Sequence, residues 1–148
     1  GSAGSEEGQF VATGGGHPHC VVLGIDELVY TCDRGQNRVQ VFDKQGTLVR
    51  VIPIDPPEYL NATLRADDIE LSRDADQRWL FVVDLGSNRV WILKRTTGEI
   101  VGSIGGSGHM AGEFTFPHTI VMDSHGDLYI AETIGGRRHQ KFSRQIAN

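Results

Sequence analysis

Apolar residues along this chain fall in runs of four to six, each closed by a cluster of Gly, Asp or Asn. Early on these runs are Cys20 to Leu23, Leu28 to Cys32, Arg38 to Phe42 and Leu48 to Ile52. Turns such as Gly24-Ile25-Asp26-Glu27 and Lys44-Gln45-Gly46 separate them. That pattern predicts short strands joined by tight loops. Several runs are apolar at both alternating positions, as in Leu80-Phe81-Val82-Val83 and Leu28-Val29-Tyr30. A strand of that kind is covered on both faces. No window sustains a 3.6-residue period, so helix content is expected to be low.

The runs repeat. Pro18-His19-Cys20-Val21 aligns with Pro117-His118-Thr119-Ile120, and the shared spacing then reaches Asp33 in one copy and Glu132 in the other. A middle copy runs through Ala66-Asp67-Asp68-Ile69, Leu80-Phe81-Val82-Val83-Asp84 and Asn88-Arg89-Val90-Trp91-Ile92. Acids recur at 33, 84 and 132, a period of about fifty residues. Upstream, Gly8-Gln9-Phe10 matches Gly112-Glu113-Phe114. The expected fold is all-β, with β-propeller blades of four-stranded antiparallel meanders, three blades per chain at about 8–54, 55–105 and 106–148. The third copy stops after its third strand, since Ser143 to Asn148 holds only Ile146 and Ala147 as apolar residues. Residues 1–7, opening Gly1-Ser2-Ala3-Gly4-Ser5, read as a tag or a disordered lead.

Composition narrows the function. A net charge of −5 and the lack of any Lys/Arg run argue against nucleic acid as a partner. No apolar stretch approaches the roughly 20 residues that span a bilayer, so no membrane role is expected. No Ser/His/Asp nucleophile pattern, phosphate loop or Cys-rich zinc motif is visible.

The order G-[QE]-F, P-H-x-[VI], L-Y-I-A-E and N-R-V-Q-V-F resembles the NHL repeat, from about Gly8 to Phe142, and is especially similar to secreted bacterial six-bladed NHL proteins. That resemblance implies half of a six-bladed ring and an extracellular or periplasmic native protein. Three blades leave apolar faces and a strand edge open. A homo-oligomer is therefore expected, most simply a dimer completing the ring, unless the chain is a cut half.

Alternating strand direction brings the start of each innermost strand to one face, the channel face. His19, Asp67 and His118 share that position, and the connection Pro53 to Leu64, with Tyr59 and the weak glycosylation sequon Asn61-Ala62-Thr63, arrives there too. These four residues, His19, Asp67, His118 and Tyr59, form the expected ligand-binding face. Imidazoles with a carboxylate between them are metal ligands in type, zinc or calcium being the candidate ions, and His19, His118 and Asp67 are the candidate set. The P-H-x-[VI] motifs also resemble those of peptidyl-hydroxyglycine amidating lyase, a six-bladed propeller with a catalytic zinc held by histidines on alternate blades. That likeness implies His19 and His118 as two ligands, although Asp67 lies on the blade that family leaves without one and Phe116 stands where it has Met. The bland alternative is that the histidines line a polar, water-filled channel. The preferred function is a non-catalytic scaffold binding a small molecule, metal or protein at this face. A metal-dependent lyase and a protein-interaction module are the alternatives.

The recurrent pairs Asp33 with Arg38, Asp84 with Arg89, and Glu132 with Arg138 read as structural, since a feature in every blade maintains the blade. Trp79 and Trp91 are expected to fill blades, and His17, His109, His125 and His139 to lie on the surface. Cys20 and Cys32 flank a turn centred near residue 26 and should face one another. Facing Cβ atoms lie about 4.5–5.5 Å apart against about 3.8 Å in a disulfide, which predicts reduced thiols, with a bridge as the alternative in a secreted protein.

Overall fold

The computed structural model describes residues 2–11, 16–56 and 65–145. Among the described residues there are thirteen strands, and the only helical turn is a 3₁₀ turn at Arg34–Gln36. Blade one is the meander β3 (Pro18–Leu23), β4 (Val29–Asp33), β5 (Arg38–Phe42) and β6 (Leu48–Pro53). Blade two is β7 (Arg65–Leu71), β8 (Trp79–Asp84), β9 (Arg89–Lys94) and β10 (Ile100–Gly105). Blade three has three strands, β11 (Pro117–Met122), β12 (Leu128–Glu132) and β13 (His139–Phe142). All neighbours within the blades are antiparallel. The first strands of the blades lie side by side, with β7 against both β3 and β11.

The two-faced runs explain the stacking. In β8, Leu80 and Val82 point toward blade one and pack with Tyr30, Cys32, Val39, Val41 and Ile52. Phe81 and Val83, one residue out of phase, point toward blade three and pack with Ile120, Met122, Leu128 and Ile130. All of these are buried. Each fully buried aliphatic or aromatic side chain contributes about 1.5–3 kcal/mol, so a central blade flanked on both sides holds its neighbours together.

Polar contacts join the blades at the loops. Asn37 and Asn88, ending the loops before β5 and β9, take left-handed φ of 52° and 54°. Asn tolerates that conformation better than most residues. Their side-chain oxygens accept from Arg65 N (3.1 Å) and Phe116 N (2.8 Å) at the start of the following blade. At the opposite end, the Arg95 guanidinium of blade two bonds Asp26 and the Tyr30 hydroxyl of blade one, the latter at 2.9 Å, while Tyr30 donates to Asp26 at 2.9 Å. Burial pushes the Asp26 carboxyl up, but the Tyr30 hydroxyl, the Leu28 N–H and Arg95 together hold it below the usual carboxylate range.

Two acid–arginine pairs form as the repeat predicts. Arg38 Nε lies 2.6 Å from Asp33 and Arg138 Nε 2.5 Å from Glu132. In blade two the pairing differs. Asp84 and Arg89 are register partners, but the ion pair recorded for Asp84 is with Arg65, at 3.6 Å, and the Arg89 guanidinium donates to Ser103. The reason lies two positions on. Gln40 and Gln140 each donate to the blade's acid at 3.0 Å and also to the carbonyl of Gln9 or Glu113, both at 2.7 Å. The equivalent residue in blade two, Trp91, donates its Nε1 to Asp84 at 2.8 Å.

Those carbonyls correct the reading of residues 1–7 as a disordered lead. Ser2–Ala3 (β1) pairs in parallel with Gln9–Phe10 (β2), and Arg38 gathers the carbonyls of Ser5, Glu6 and Gln9. The loop ahead of β11 repeats this arrangement. Gly108 N bonds Phe114 O as Gly4 N bonds Phe10 O, both at 3.0 Å, and Arg138 gathers the carbonyls of His109, Met110 and Glu113.

The expectation of free thiols is also overturned, because Cys20 and Cys32 form a disulfide with Cα atoms 4.9 Å apart. The cause is local. The register Val21↔Thr31, Val22↔Tyr30 and Leu23↔Val29 puts Cys20 opposite Cys32, next to the bulge that follows Pro18↔Asp33, and there the two side chains bond.

Two outcomes follow from these contacts. Asp84→Ala strips the buried Arg65 of its counter-charge, and urea unfolding should show a loss of about 3–5 kcal/mol. Asp26 is held below its unfolded value, so its contribution is present above about pH 4 and is lost as pH falls through the folded value. Acid titration of the thermal midpoint should therefore show a shallower decline below about pH 4 in Asp26→Asn than in the parent.

Candidate functional site

Each innermost strand carries a bulge at the same place. The ladder skips between Pro18 and Val21 in β3, between Arg65 and Asp68 in β7, and between Pro117 and Thr119 in β11. His19, Asp67 and His118 lie inside those gaps, with Cys20 and Ala66 beside the first two. A bulge re-aims side chains out of the alternating pattern, and here it turns three of them to a common point. One donor atom from each lies within 4.8 Å of the others. The two imidazoles meet edge to face, with ring centroids 5.0 Å apart and an interplanar angle of 74°.

The surroundings fix these side chains. His19 Nδ1 lies 2.5 Å from the backbone carbonyl of Asp67. A carbonyl only accepts, so Nδ1 donates, and in the neutral ring Nε2 is then the nitrogen with the lone pair. The Asp67 carboxylate is buried and held from two sides, by Arg34 at 2.9 Å and by Leu85 N at 3.1 Å. The Thr119 hydroxyl lies 3.5 Å from His118 Nδ1. Beside them, Asp68 accepts from Ile120 N (3.0 Å) and Glu70 from Met122 N (3.2 Å), so carboxylates on β7 satisfy backbone donors of β11. Burial raises the Asp67 carboxyl above its usual range against the pull of Arg34 and the Leu85 N–H. Asp68 is raised in the same way, against the N–H groups of Ile120 and Ile69.

Three of the four residues expected at the channel face thus come together, and Tyr59 lies outside the described residues, as does the sequon at Asn61. Arg34 and Asp68 escaped the sequence reading. Arg34 follows the recurrent acid Asp33, and Asp68 follows Asp67 where the other copies have Cys20 and Thr119. An acidic doublet at a position that is otherwise P-H-x was the available signal.

The donor set has the composition of a transition-metal site. Two imidazoles and a carboxylate suit zinc or a similar dication, whereas calcium takes six to eight oxygens. Ligands about 2.1 Å from a tetrahedral ion sit about 3.4 Å apart, so these side chains would close in by little more than an ångström. The His19–carbonyl contact is the kind of outer support that ligating histidines use.

No family model matches the chain. Solved structures similar to it are β-propellers. Virginiamycin B lyase from Staphylococcus aureus is similar over 93% of this chain, at 17% identity and a TM-score of 0.56. A putative 6-phosphogluconolactonase from Bacteroides uniformis is similar over 95%, at 16% identity and 0.68. The WD40 β-propeller domain of Doa1 is similar over 92%, at 13% identity and 0.62. The chain spans 44%, 43% and 40% of those three chains respectively. At such identities the likeness is one of fold, and propellers host unrelated activities. The chain is built of β-propeller blades.

Proposed function

We propose that this chain is part of an NHL-type propeller scaffold whose channel face binds a divalent transition metal, zinc foremost, through His19, Asp67 and His118. One observation carries the reading: three side chains from three blades converge with donor atoms within 4.8 Å of one another. The bland alternative, histidines lining a wet channel, gives no reason for a buried carboxylate between them or for a carbonyl directing the His19 lone pair. When bound, the ion would supply Lewis acidity at the channel mouth. The residues themselves orient it: Arg34 holds Asp67, and the Asp67 carbonyl holds His19. The binding scaffold is preferred to a lyase similar to the amidating enzyme, because Asp67 occupies the position which that family leaves without a ligand. The disulfide supports an oxidising compartment, extracellular or periplasmic.

We propose further that a second copy covers the open flanks. Val21 and Leu23 are 69% and 58% exposed on the side of blade one turned away from blade two, and Val121 is 52% exposed on the far side of blade three. Apolar faces of this kind are buried by a neighbouring blade elsewhere in the same chain.

Protein purified without chelator should carry roughly one zinc per chain by elemental analysis. His19→Ala and His118→Ala should each lose it while keeping the parent's far-ultraviolet spectrum, since neither ring belongs to a core cluster. Metal-free parent that stays metal-free after zinc dialysis overturns the reading. For the assembly, sedimentation equilibrium should return twice the chain mass. A soluble monomer at high concentration would refute it.

A further inference from the structure

We infer that the Cys20–Cys32 disulfide is a redox-sensitive brace that positions His19. The inference rests on the metal-site reading for its consequence, but its geometry stands without a metal.

The three bulges differ in one respect. In blades two and three the ladder resumes at once, at Asp68↔Val83 and Thr119↔Ala131. In blade one it resumes one residue later, at Val21↔Thr31. The pair missing from that ladder is Cys20 with Cys32, and a covalent bond joins them instead. Cys20 adjoins His19. Cys32 adjoins Asp33, which is followed by Arg34, the residue gripping the Asp67 carboxylate. One bond therefore ties together the two arms, His19 and Arg34, that meet at Asp67. The other blades anchor the equivalent strand by different means, such as the Asp68 carboxylate bonding Ile120 N.

Cys20 keeps partial exposure although it packs, like Val22, against the core shared with blade two, and Cys32 is buried within that core. Thiol–disulfide exchange with a dithiol would break the S–S bond, leave two cysteine thiols and convert the dithiol to its own disulfide, a two-electron exchange. His19 and Cys20, between the ladder pairs of Pro18 and Val21, then have no pair of their own to hold them, and His19 loses its fixed approach to Asp67.

The test compares oxidised protein with protein reduced by a water-soluble phosphine, which takes the oxygen of one water and leaves two thiols without offering a thiolate to zinc. Reduction should weaken zinc binding, read by chelator competition, by about 10-fold to 100-fold, the range seen when outer-shell support of a ligand is lost. Reoxidation should restore it, and circular dichroism should show the blades intact in both states. Equal affinity in the two states overturns the brace and leaves the metal site standing. Should neither state bind zinc, the metal reading fails, and nitrogen-15 imidazole spectra of the metal-free protein decide the brace. His19 should show the Nδ1-protonated tautomer when oxidised and an averaged signal when reduced. An unchanged His19 signal overturns the brace. Cys20→Ala/Cys32→Ala should reproduce the reduced state; if that variant does not fold, the chemically reduced protein still gives the answer.

Discussion

A strand that is apolar on both faces is stable only when sheets lie on both sides of it, and most of this structure follows from that constraint. β8 is such a strand, and so blade two is the interior layer, sending Leu80 and Val82 one way and Phe81 and Val83 the other. Blades one and three each have one face satisfied and one exposed. Polar side chains join the blades at the loops: the left-handed Asn37 and Asn88 clasp the next blade, and Gln40, Trp91 and Gln140 each hydrogen-bond the acid of their own blade. Stacking thus sets the order of the blades, and hydrogen bonding at the loops sets their relative register.

The same stacking creates the channel face. Because β3, β7 and β11 are the first strands of successive blades, their starts are neighbours, and equivalent positions in the repeat become adjacent in space. Sequence distance is converted into proximity: His19 and His118, far apart along the chain, come to ring contact. A single blade presents one such side chain. A site with several ligands therefore requires several blades, and its geometry inherits the rigidity of the packing between them rather than that of any loop.

Much of this was legible in the sequence, for identifiable reasons. The period and the strands were readable because turn chemistry and two-faced apolarity are local signals. Convergence of His19, Asp67 and His118 was readable because alternating strand direction is a topological rule. The facing of Cys20 and Cys32 was readable, but the bond was not, since residue type does not show how far the two side chains close. That Asp84 takes Arg65 and the Trp91 indole as partners could be seen only with β7 packed beside β8 and β9. Residues 2–7 looked like a lead because their role depends on carbonyls gathered by Arg38, and any sequence supplies carbonyls. Arg34 could be assigned to Asp67 only once the two blades were seen side by side.

The bulges expose a balance between site and scaffold. Skipping ladder pairs at the start of the innermost strand gives up backbone hydrogen bonds where the blade is most confined, and buried donors left unpaired there cost about 1–3 kcal/mol each. Blades two and three share one device, an Asn of the preceding blade accepting from Arg65 N or Phe116 N, and add others of their own. Blade three uses Glu132 to accept from Thr115 N and Phe116 O to accept from Thr133 N. Blade two uses Asn37 on Arg65 N and Asp67 on Leu85 N. In blade one a covalent bond joins the skipped pair, Cys20 and Cys32. The irregularity recurs in all three blades while its surroundings differ. A bulge that served no purpose would be cheapest to repair into a regular ladder, and in none of the three blades is it repaired. Its one effect common to all three is to aim His19, Asp67 and His118 at the same point.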